Sequence, residues 1–103
     1  MKRIYVCHPF TGDIIGNLEK VARICRSIVD EGHLPISWQL LLPLVIDDGA
    51  ERDLLTTLRL ELIRSCDELW LFGTLEKEML MELDLAQARG MAISNRLTAG
   101  ARA

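Results

Sequence analysis

The chain has 103 residues, of which 50% are hydrophobic and 26% charged, and this composition predicts one globular domain with its own core. A formal net charge of −3 and a pI of about 5.3 argue against the basic surface that a polynucleotide-binding domain needs. No apolar run approaches the roughly 18 residues of a membrane-spanning helix, and Met1-Lys2-Arg3 does not lead into a signal-peptide core. We therefore expect a cytoplasmic protein without polynucleotide or membrane partners.

The first third of the chain is typical of a strand, a loop and a helix. Arg3 to Cys7 is rich in β-branched and aromatic residues, and the turn-forming residues that follow interrupt it. Asp13 suits a helix N-cap, and the apolar residues after it have the three- and four-residue spacings of one buried helix face: Ile14, Leu18, Val21, Ala22, Cys25, Ile28 and Val29. Gly32 is predicted to end this helix.

The middle of the chain predicts a second strand and a second helix. Leu34 to Trp38 is a short strand that Pro35 weakens, and residues 40–46 form an irregular buried connection. A helix from about Ala50 to Ser65 follows, with a face formed by Leu54, Leu55, Leu58, Leu62 and Ile63.

The last third predicts a third strand and helix and a short fourth strand. Leu69 to Phe72 is an apolar run suited to a strand buried on both faces, and Gly73-Thr74 ends it. In the next helix Met79, Leu83 and Ala86 form an apolar stripe, and Glu82 stands one residue before Leu83, so we expect its carboxylate to be half desolvated at the edge of that stripe. Met91 to Ile93 would be the fourth strand, which makes residues 1–93 the domain and residues 94–103 a tail.

The order βαβαβαβ predicts an α/β fold, a flavodoxin-like or Rossmann-like three-layer sandwich with a parallel sheet of about four strands. In such folds the ligand crevice lies at the carboxyl ends of the strands. Gly73 and the first turns of the third helix would then line the site. The loop after the first strand would present backbone amides to a phosphate or ribose, and its residues are His8, Pro9, Phe10, Thr11, Gly12 and Asp13.

Three cysteines, Cys7, Cys25 and Cys66, are widely spaced in apolar surroundings. Neither a zinc site nor a disulfide framework fits that spacing. We expect buried free thiols, no metal and no cofactor.

Several motifs in a fixed order carry a family resemblance over residues 1 to about 93. They are IYVCHPF at residues 4–10, GHLP at 32–35, CDELWLFG at 66–73 and MELDLA at 81–86. The chain resembles the nucleoside 2-deoxyribosyltransferase superfamily, and more closely the small bacterial and phage domains related to it. The resemblance implies a transferase or hydrolase that acts on the N-glycosidic bond of a nucleoside or nucleotide.

The resemblance also implies roles for individual residues. Glu82 would be the nucleophile, Asp67 the general acid for the departing base, and Tyr5 the residue that orients Glu82. Each has an ordinary alternative. Glu82 would be an exposed helix glutamate that aids solubility, Asp67 a strand-start aspartate that caps the preceding helix or bonds a loop amide, and Tyr5 a core residue. Replacing Glu82, as a surface helix residue, by alanine is expected to change stability by only about 0.5 kcal/mol. Substrate-binding positions would be His8, Pro9, Phe10, Thr11, Gly12, Asp13, Gly73, Glu78 and Met79.

Three departures from the family pattern keep a second function open. Relatives often carry arginine or another polar residue where Thr11 stands, a glycine where Glu78 stands, and a histidine where Gln39 stands. The alternative is a non-catalytic module that binds or senses a nucleotide. Trp38 is expected either to stack on a base or to belong to the core or an interface.

A cluster of apolar residues around Pro43 predicts self-association. Trp38, Leu40, Leu41, Leu42 and Leu44 offer more apolar surface than a small sheet covers, and exposed patches of this kind mark interfaces. We therefore expect a homo-oligomer.

Overall fold

Strands and helices alternate along the part of the chain that the structure, a computed structural model, describes, which is residues 1–47 and 49–96. The strands are β1 (Arg3–Cys7), β2 (Leu34–Ile36), β3 (Glu68–Leu71) and β4 (Ala92–Asn95). The α-helices are α1 (Ile14–Asp30), α2 (Arg52–Arg64) and α3 (Lys77–Ala88), and two short 3₁₀ helices, Trp38–Leu40 and Leu42–Leu44, lie between β2 and α2. The predicted α/β order is confirmed.

The four strands form one parallel sheet in the order β2-β1-β3-β4. Tyr5, in the middle of β1, pairs with Ile36 of β2 on one side and with Leu69 of β3 on the other. The chain leaves β1 toward one edge of the sheet and later crosses to the other edge, so the strand order reverses between β1 and β3. In open parallel sheets the ligand crevice lies at the carboxyl ends of the strands, next to such a reversal.

Side chains of β1 alternate between two apolar layers. Ile4 and Val6 pack with Val21, Ile24 and Ile28 of α1 on one face of the sheet. On the other face, Tyr5 and Cys7 belong to a cluster with residues of α2 and α3, namely Leu55, Ile63, Met79 and Ala86. Every residue of β1 after Arg3 is at most 1% exposed, because helices cover both faces. The three-layer sandwich predicted from the sequence is confirmed.

Two helix boundaries follow from local chemistry. The Asp13 carboxylate accepts a hydrogen bond of 3.0 Å from the Gly16 backbone N–H, which confirms the predicted N-cap of α1. Helix α1 ends at Asp30, and Gly32 follows with a φ of +87°, a conformation that favours glycine.

Some predicted boundaries differ from the structure. Strand β2 stops at Ile36, the last residue paired with β1, and Trp38 lies in a 3₁₀ helix instead of a strand. Strand β4 continues to Asn95 because Ser94 and Asn95 pair with β3, so the predicted domain limit at residue 93 falls inside a strand. Most of the predicted tail, residues 97–103, lies outside the described residues.

The connection between β2 and α2 exposes apolar side chains. Leu41, Leu44 and Val45 are 56%, 85% and 65% exposed, although Trp38 and Leu42 of the same segment are buried. The Pro43 cluster is thus divided between the core and the surface. No helix within the described residues is both long and apolar enough to cross a membrane.

Candidate functional site

A cavity of about 330 Å³ opens at the carboxyl end of the sheet. Its volume lies within the range typical of small-molecule sites. The lining residues come from the β1–α1 loop, the first 3₁₀ helix, the first half of α2 and the start of α3: His8, Phe10, Thr11, Trp38, Arg52, Leu55, Thr56, Arg59, Glu76, Lys77, Glu78, Met79 and Met81. Of the predicted substrate-binding residues, His8, Phe10, Thr11, Glu78 and Met79 line this cavity.

Glu82 lies beside this cavity in the core and is 1% exposed. Met79, Glu82 and Ala86 form the buried face of α3, since spacings of three and four residues place them on one side of a helix. The expectation of a half-desolvated carboxylate at the edge of the apolar stripe is therefore wrong. Leu83, which was assigned to the centre of that stripe, is half-buried.

Three donors surround the Glu82 carboxylate. The Tyr5 hydroxyl donates a hydrogen bond to Oε2. Arg59 approaches the same oxygen with Nη2 at 3.2 Å and Nε at 3.3 Å. The Cys7 thiol donates to the other oxygen, Oε1, across 3.5 Å. Strand β1 and helix α2 thus bind Glu82 from two directions.

Burial raises the pKa of the Glu82 carboxyl above its ordinary value, although the Arg59 charge and the hydrogen bonds from Tyr5 and Cys7 oppose this rise. The pKa of Tyr5 is raised well above its usual range by burial and by the adjacent carboxylate. The pKa of the Cys7 thiol is raised for the same reasons. Both groups therefore stay protonated near neutral pH and remain donors to Glu82.

Arg59 connects Glu82 with an aromatic wall of the cavity. Its guanidinium carbon lies 4.2 Å from the centroid of the Trp38 ring, within cation–π distance. The Trp38 ring in turn contacts Phe10, with ring centroids 4.7 Å apart. Arg59 lines the cavity and Glu82 does not. The Glu82 carboxylate therefore lies behind the cavity wall, in contact with Arg59.

Glu76 ties the two loops of the crevice together. Its carboxylate accepts hydrogen bonds from the backbone N–H groups of Phe10 at 3.0 Å and Thr11 at 3.3 Å, and from the Thr11 hydroxyl. Partial burial favours the neutral acid, but these hydrogen bonds outweigh it and hold the pKa of Glu76 below its ordinary value. Glu76 is thus an anionic clamp for the β1–α1 loop.

Close packing and a glutamine further fix the same loop. Gly73 has a φ of +71°, and a Cβ atom there would lie 2.8 Å from Pro9, so the turn after β3 requires glycine. The buried Gln39 side chain donates to the carbonyls of His8 at 2.7 Å and Pro9 at 3.2 Å. Gln39 therefore binds the loop. The position where the resemblance predicts a histidine thus still makes polar contacts.

His8 lines the cavity as a neutral ring. Burial lowers its pKa, which favours the uncharged imidazole near neutral pH. Its Nδ1 lies 2.8 Å from the Pro9 carbonyl oxygen, and because a carbonyl accepts, Nδ1 carries the proton. Nε2 is then an acceptor.

Asp67 lies at the opposite end of the sheet. It precedes β3, and its carboxylate accepts a hydrogen bond of 2.8 Å from the Arg3 backbone N–H. The four residues of β3 span about 13 Å at the usual rise per residue, and the cavity lies beyond the other end of this strand. The structure does not bring Asp67 to the cavity, which corrects its assignment as the general acid.

Four predicted substrate-binding residues shape the loops without lining the cavity: Pro9, Gly12, Asp13 and Gly73. Asp13 is occupied as the N-cap of α1, and Pro9 packs against Gly73. These positions determine the course of the crevice loops.

Charges of both signs stand at the mouth of the cavity. Glu78, in the first turn of α3, lies 3.7 Å from an Arg52 nitrogen, and both side chains are more than a third exposed. Lys77 adds a second cation. Across the described residues, no three histidine, cysteine or acidic side chains are grouped as a metal would require.

Arg59 is the principal site residue that the sequence reasoning missed. Leu55, Arg59 and Ile63 form the buried face of α2 at four-residue spacing. A charged side chain is rarely buried without a partner, so an arginine at the centre of an apolar helix face was a signal for a buried anion. Glu82 is that anion.

Comparisons with known proteins give a family for the sequence and similar solved structures for the fold. A family model described as a domain of unknown function (DUF7768) matches residues 2–96. Among solved structures, a 2-deoxyribosyltransferase from Bacillus psychrosaccharolyticus is similar, with a TM-score of 0.73 and 20% identity, over 90% of this chain and 70% of the other. A 2-deoxyribosyltransferase from Leishmania mexicana has a TM-score of 0.71 and 15% identity, over 95% of this chain and 65% of the other.

At these identities the similarity shows the fold alone, and this chain spans roughly two thirds of each enzyme's length. No curated protein gives a significant match to the sequence. The expected resemblance to deoxyribosyltransferases is thus confirmed at the level of a distantly similar fold.

Proposed function

From the premise that this chain belongs to the DUF7768 family, we propose that it cleaves or transfers the N-glycosidic bond of a nucleoside or nucleotide, with Glu82 as nucleophile. The observation that carries the proposal is the buried Glu82 carboxylate, hydrogen-bonded by the Tyr5 hydroxyl next to a cavity of about 330 Å³. The 2-deoxyribosyltransferase fold of the solved neighbours supports the same chemistry.

The proposed reaction has two steps. A carboxylate oxygen of Glu82 attacks C1′ of the sugar, and the C–N bond breaks with its electron pair passing to the base. Because Asp67 is out of reach, we assign the proton that the base requires to water in the cavity mouth. Water or a second base then displaces Glu82 from C1′, gives its proton to the hydroxide that the first step left, and restores the carboxylate.

Tyr5 and the cavity residues would support these steps. The Tyr5 hydroxyl holds the carboxylate in place, and its raised pKa keeps the donor proton on the phenol. Phe10 and Trp38 offer apolar ring surface to a base. His8, Thr11 and Met79 complete the wall.

A panel assay tests this function. Purified protein is incubated with deoxynucleosides, ribonucleosides and their 5′-monophosphates, and free base is measured by chromatography. Each reaction is repeated with a second base, since a new nucleoside indicates transfer and free sugar indicates hydrolysis. Release of base from at least one substrate supports the proposal, and no release from any of them contradicts it.

The Arg59–Glu82 ion pair favours a second candidate function, nucleotide binding without turnover. A carboxylate that is 1% exposed and paired with a guanidinium is shielded from a ligand in the cavity. The two functions differ in one observable. A binding module would be stabilised against heat by a nucleoside or nucleotide that it leaves intact.

Glu78 is predicted to make the site prefer a neutral nucleoside to its 5′-monophosphate. Its carboxylate lies in the first turn of α3, where it opposes the positive end of the helix dipole, and Arg52 at 3.7 Å compensates it in part. Glu78→Gln should strengthen monophosphate binding about fivefold, or about 1 kcal/mol for one nearby charge at an exposed site. Calorimetric titration at low salt measures this.

Nucleoside affinity should stay the same in the Glu78→Gln variant, which serves as the internal control. If the wild-type protein binds the monophosphate more tightly than the nucleoside, Glu78 does not determine the preference of the site for a neutral ligand.

We further propose that the protein is a homo-oligomer. The exposed side chains of Leu41, Leu44 and Val45 form the apolar surface that a second copy would cover. Light scattering at micromolar concentration is expected to give a mass above that of one chain, and a monomer would contradict this proposal.

A further inference from the structure

We propose that Arg59 is a positioning residue for Glu82, which holds one carboxylate oxygen, favours the ionised form of the group and leaves the other oxygen to react. The inference rests on the proposed function, because Glu82 is the reacting group there. Helix α2, which carries Arg59, thus contributes directly to the organisation of the nucleophile on α3.

The two oxygens of Glu82 have different surroundings. Oε2 accepts the Tyr5 hydroxyl and two nitrogens of Arg59, at 3.2 and 3.3 Å. Oε1 contacts the Cys7 thiol at 3.5 Å, and a thiol is a weak donor. Lone pairs engaged by strong donors are less available for bond formation. We therefore assign the attack on C1′ to Oε1, while the negative charge that remains on the carboxylate before attack is stabilised at Oε2.

Arg59 is itself held in place. Its side chain is 9% exposed, and its guanidinium carbon lies 4.2 Å from the centroid of the Trp38 ring, while Nη2 and Nε contact the carboxylate. A guanidinium presents its donors as a planar, rigid group, so it fixes both the position and the rotation of its partner. The Trp38 ring and the Glu82 carboxylate therefore both restrain the guanidinium.

The charge of Arg59 is the largest of the effects that oppose the rise in the pKa of Glu82 caused by burial. Groups in contact with the carboxylate are Tyr5 and Cys7 from β1 and Arg59 from α2, and among these described contacts Arg59 supplies the positive charge. Tyr5 and Cys7 stay neutral because their pKa values are raised. Without Arg59, burial would shift Glu82 strongly toward the neutral acid, which is a poor nucleophile.

The first test follows the protonation of Glu82 directly. Protein labelled with ¹³C at the glutamate side-chain carboxyls is titrated by NMR, and the Glu82 signal is identified by its loss in Glu82→Gln. Arg59→Met is expected to raise the titration midpoint by about 1–3 pH units, the usual effect of losing an adjacent opposite charge. An unchanged midpoint would overturn the inference.

Arg52→Met is the matched control. Arg52 is also an arginine of α2 that lines the cavity, but its side chain is 75% exposed and lies near Glu78 instead of Glu82. The Glu82 midpoint should not move in this variant. A shift equal to that of Arg59→Met would mean that any cation of the cavity has the same effect, which contradicts a specific role for Arg59.

The pH dependence of kcat gives an independent readout. The acidic limb, where Glu82 loses its proton, should move to higher pH in Arg59→Met by the same amount as the NMR midpoint, with kcat lowered more than KM is raised. A faster kcat in Arg59→Met would show that the ion pair suppresses Glu82, and would overturn the inference.

Arg59→Lys keeps the test decisive if Arg59→Met does not fold, as judged by circular dichroism. Lysine retains the charge and loses the planar fork, so its midpoint should rise less than the 1–3 units expected for loss of the charge. A rise of about 3 units or more in this variant would contradict an electrostatic role. NMR titration needs no turnover, so it measures the effect of Arg59 on Glu82 whether or not the protein is active. If the wild-type protein releases no base, the proposed function is contradicted, while the effect of Arg59 on the Glu82 midpoint is still tested.

Discussion

Glu82→Gln is expected to lower the rate of base release by about a thousandfold or more, since loss of a covalent nucleophile removes the reaction path itself. Glutamine keeps the shape of the side chain and an oxygen that can accept from Tyr5 and Arg59, so the fold should persist. Chromatographic measurement of free base, with circular dichroism of both proteins, checks the two parts of this expectation.

Asp84→Asn provides the matched control for Glu82→Gln. It makes the same carboxylate-to-amide change on the same helix, two residues away, at an exposed position. Its activity should equal that of the wild-type protein. Wild-type turnover in Glu82→Gln would exclude Glu82 as the nucleophile.

Glu82→Ala is expected to lower the free energy of unfolding by about 3–5 kcal/mol, the usual effect of breaking a buried ion pair by removing one partner. Alanine would leave the buried Arg59 guanidinium without its anion and the Tyr5 hydroxyl without its acceptor. The sequence alone predicted a change of only about 0.5 kcal/mol, as for a surface residue. Urea denaturation measures the difference.

Asp84→Ala, at an exposed position of α3, should change the free energy of unfolding by no more than about 0.5 kcal/mol. Equal losses in the two variants would mean that the buried ion pair of Glu82 contributes no more to stability than an exposed carboxylate of the same helix does.

Sequence reasoning predicted the order of elements and the parallel sheet because those depend on periodicity and on the rules for strand connections. It misplaced Trp38, for which local pattern gives little guidance. The 3₁₀ helix that holds this residue is stabilised by burial of its ring against Phe10 and Arg59, which are distant in the chain. Such contacts are not visible in a window of neighbouring residues.

The site was predicted in part. Residues of the β1–α1 loop and of the start of α3 do line the cavity, since the carboxyl ends of parallel strands share one edge of the sheet. Asp67 fails by the same rule, because it precedes its strand and therefore lies at the other edge. Its assignment came from the family resemblance and not from the polarity of the sheet.

The sequence contained evidence for the burial of Glu82 and for its pairing with Arg59 that our sequence analysis did not use. Each residue stands at helical spacing within an apolar face, one on α3 and one on α2, and each needs an opposite charge to be buried there. Considered together, the two helices predict a mutual ion pair. Periodicity treats each helix separately and so cannot show this pairing.

The proposed nucleophile is tested most directly by mass spectrometry of the covalent intermediate. The protein is incubated with a nucleoside whose sugar carries fluorine at C2′, which slows the breakdown of a glycosyl ester by destabilising positive charge at C1′. We predict a mass increase equal to the fluorinated glycosyl group, located on Glu82 by peptide fragmentation and absent in Glu82→Gln. Release of the base with no adduct, or an adduct on another residue, would contradict Glu82 as the nucleophile.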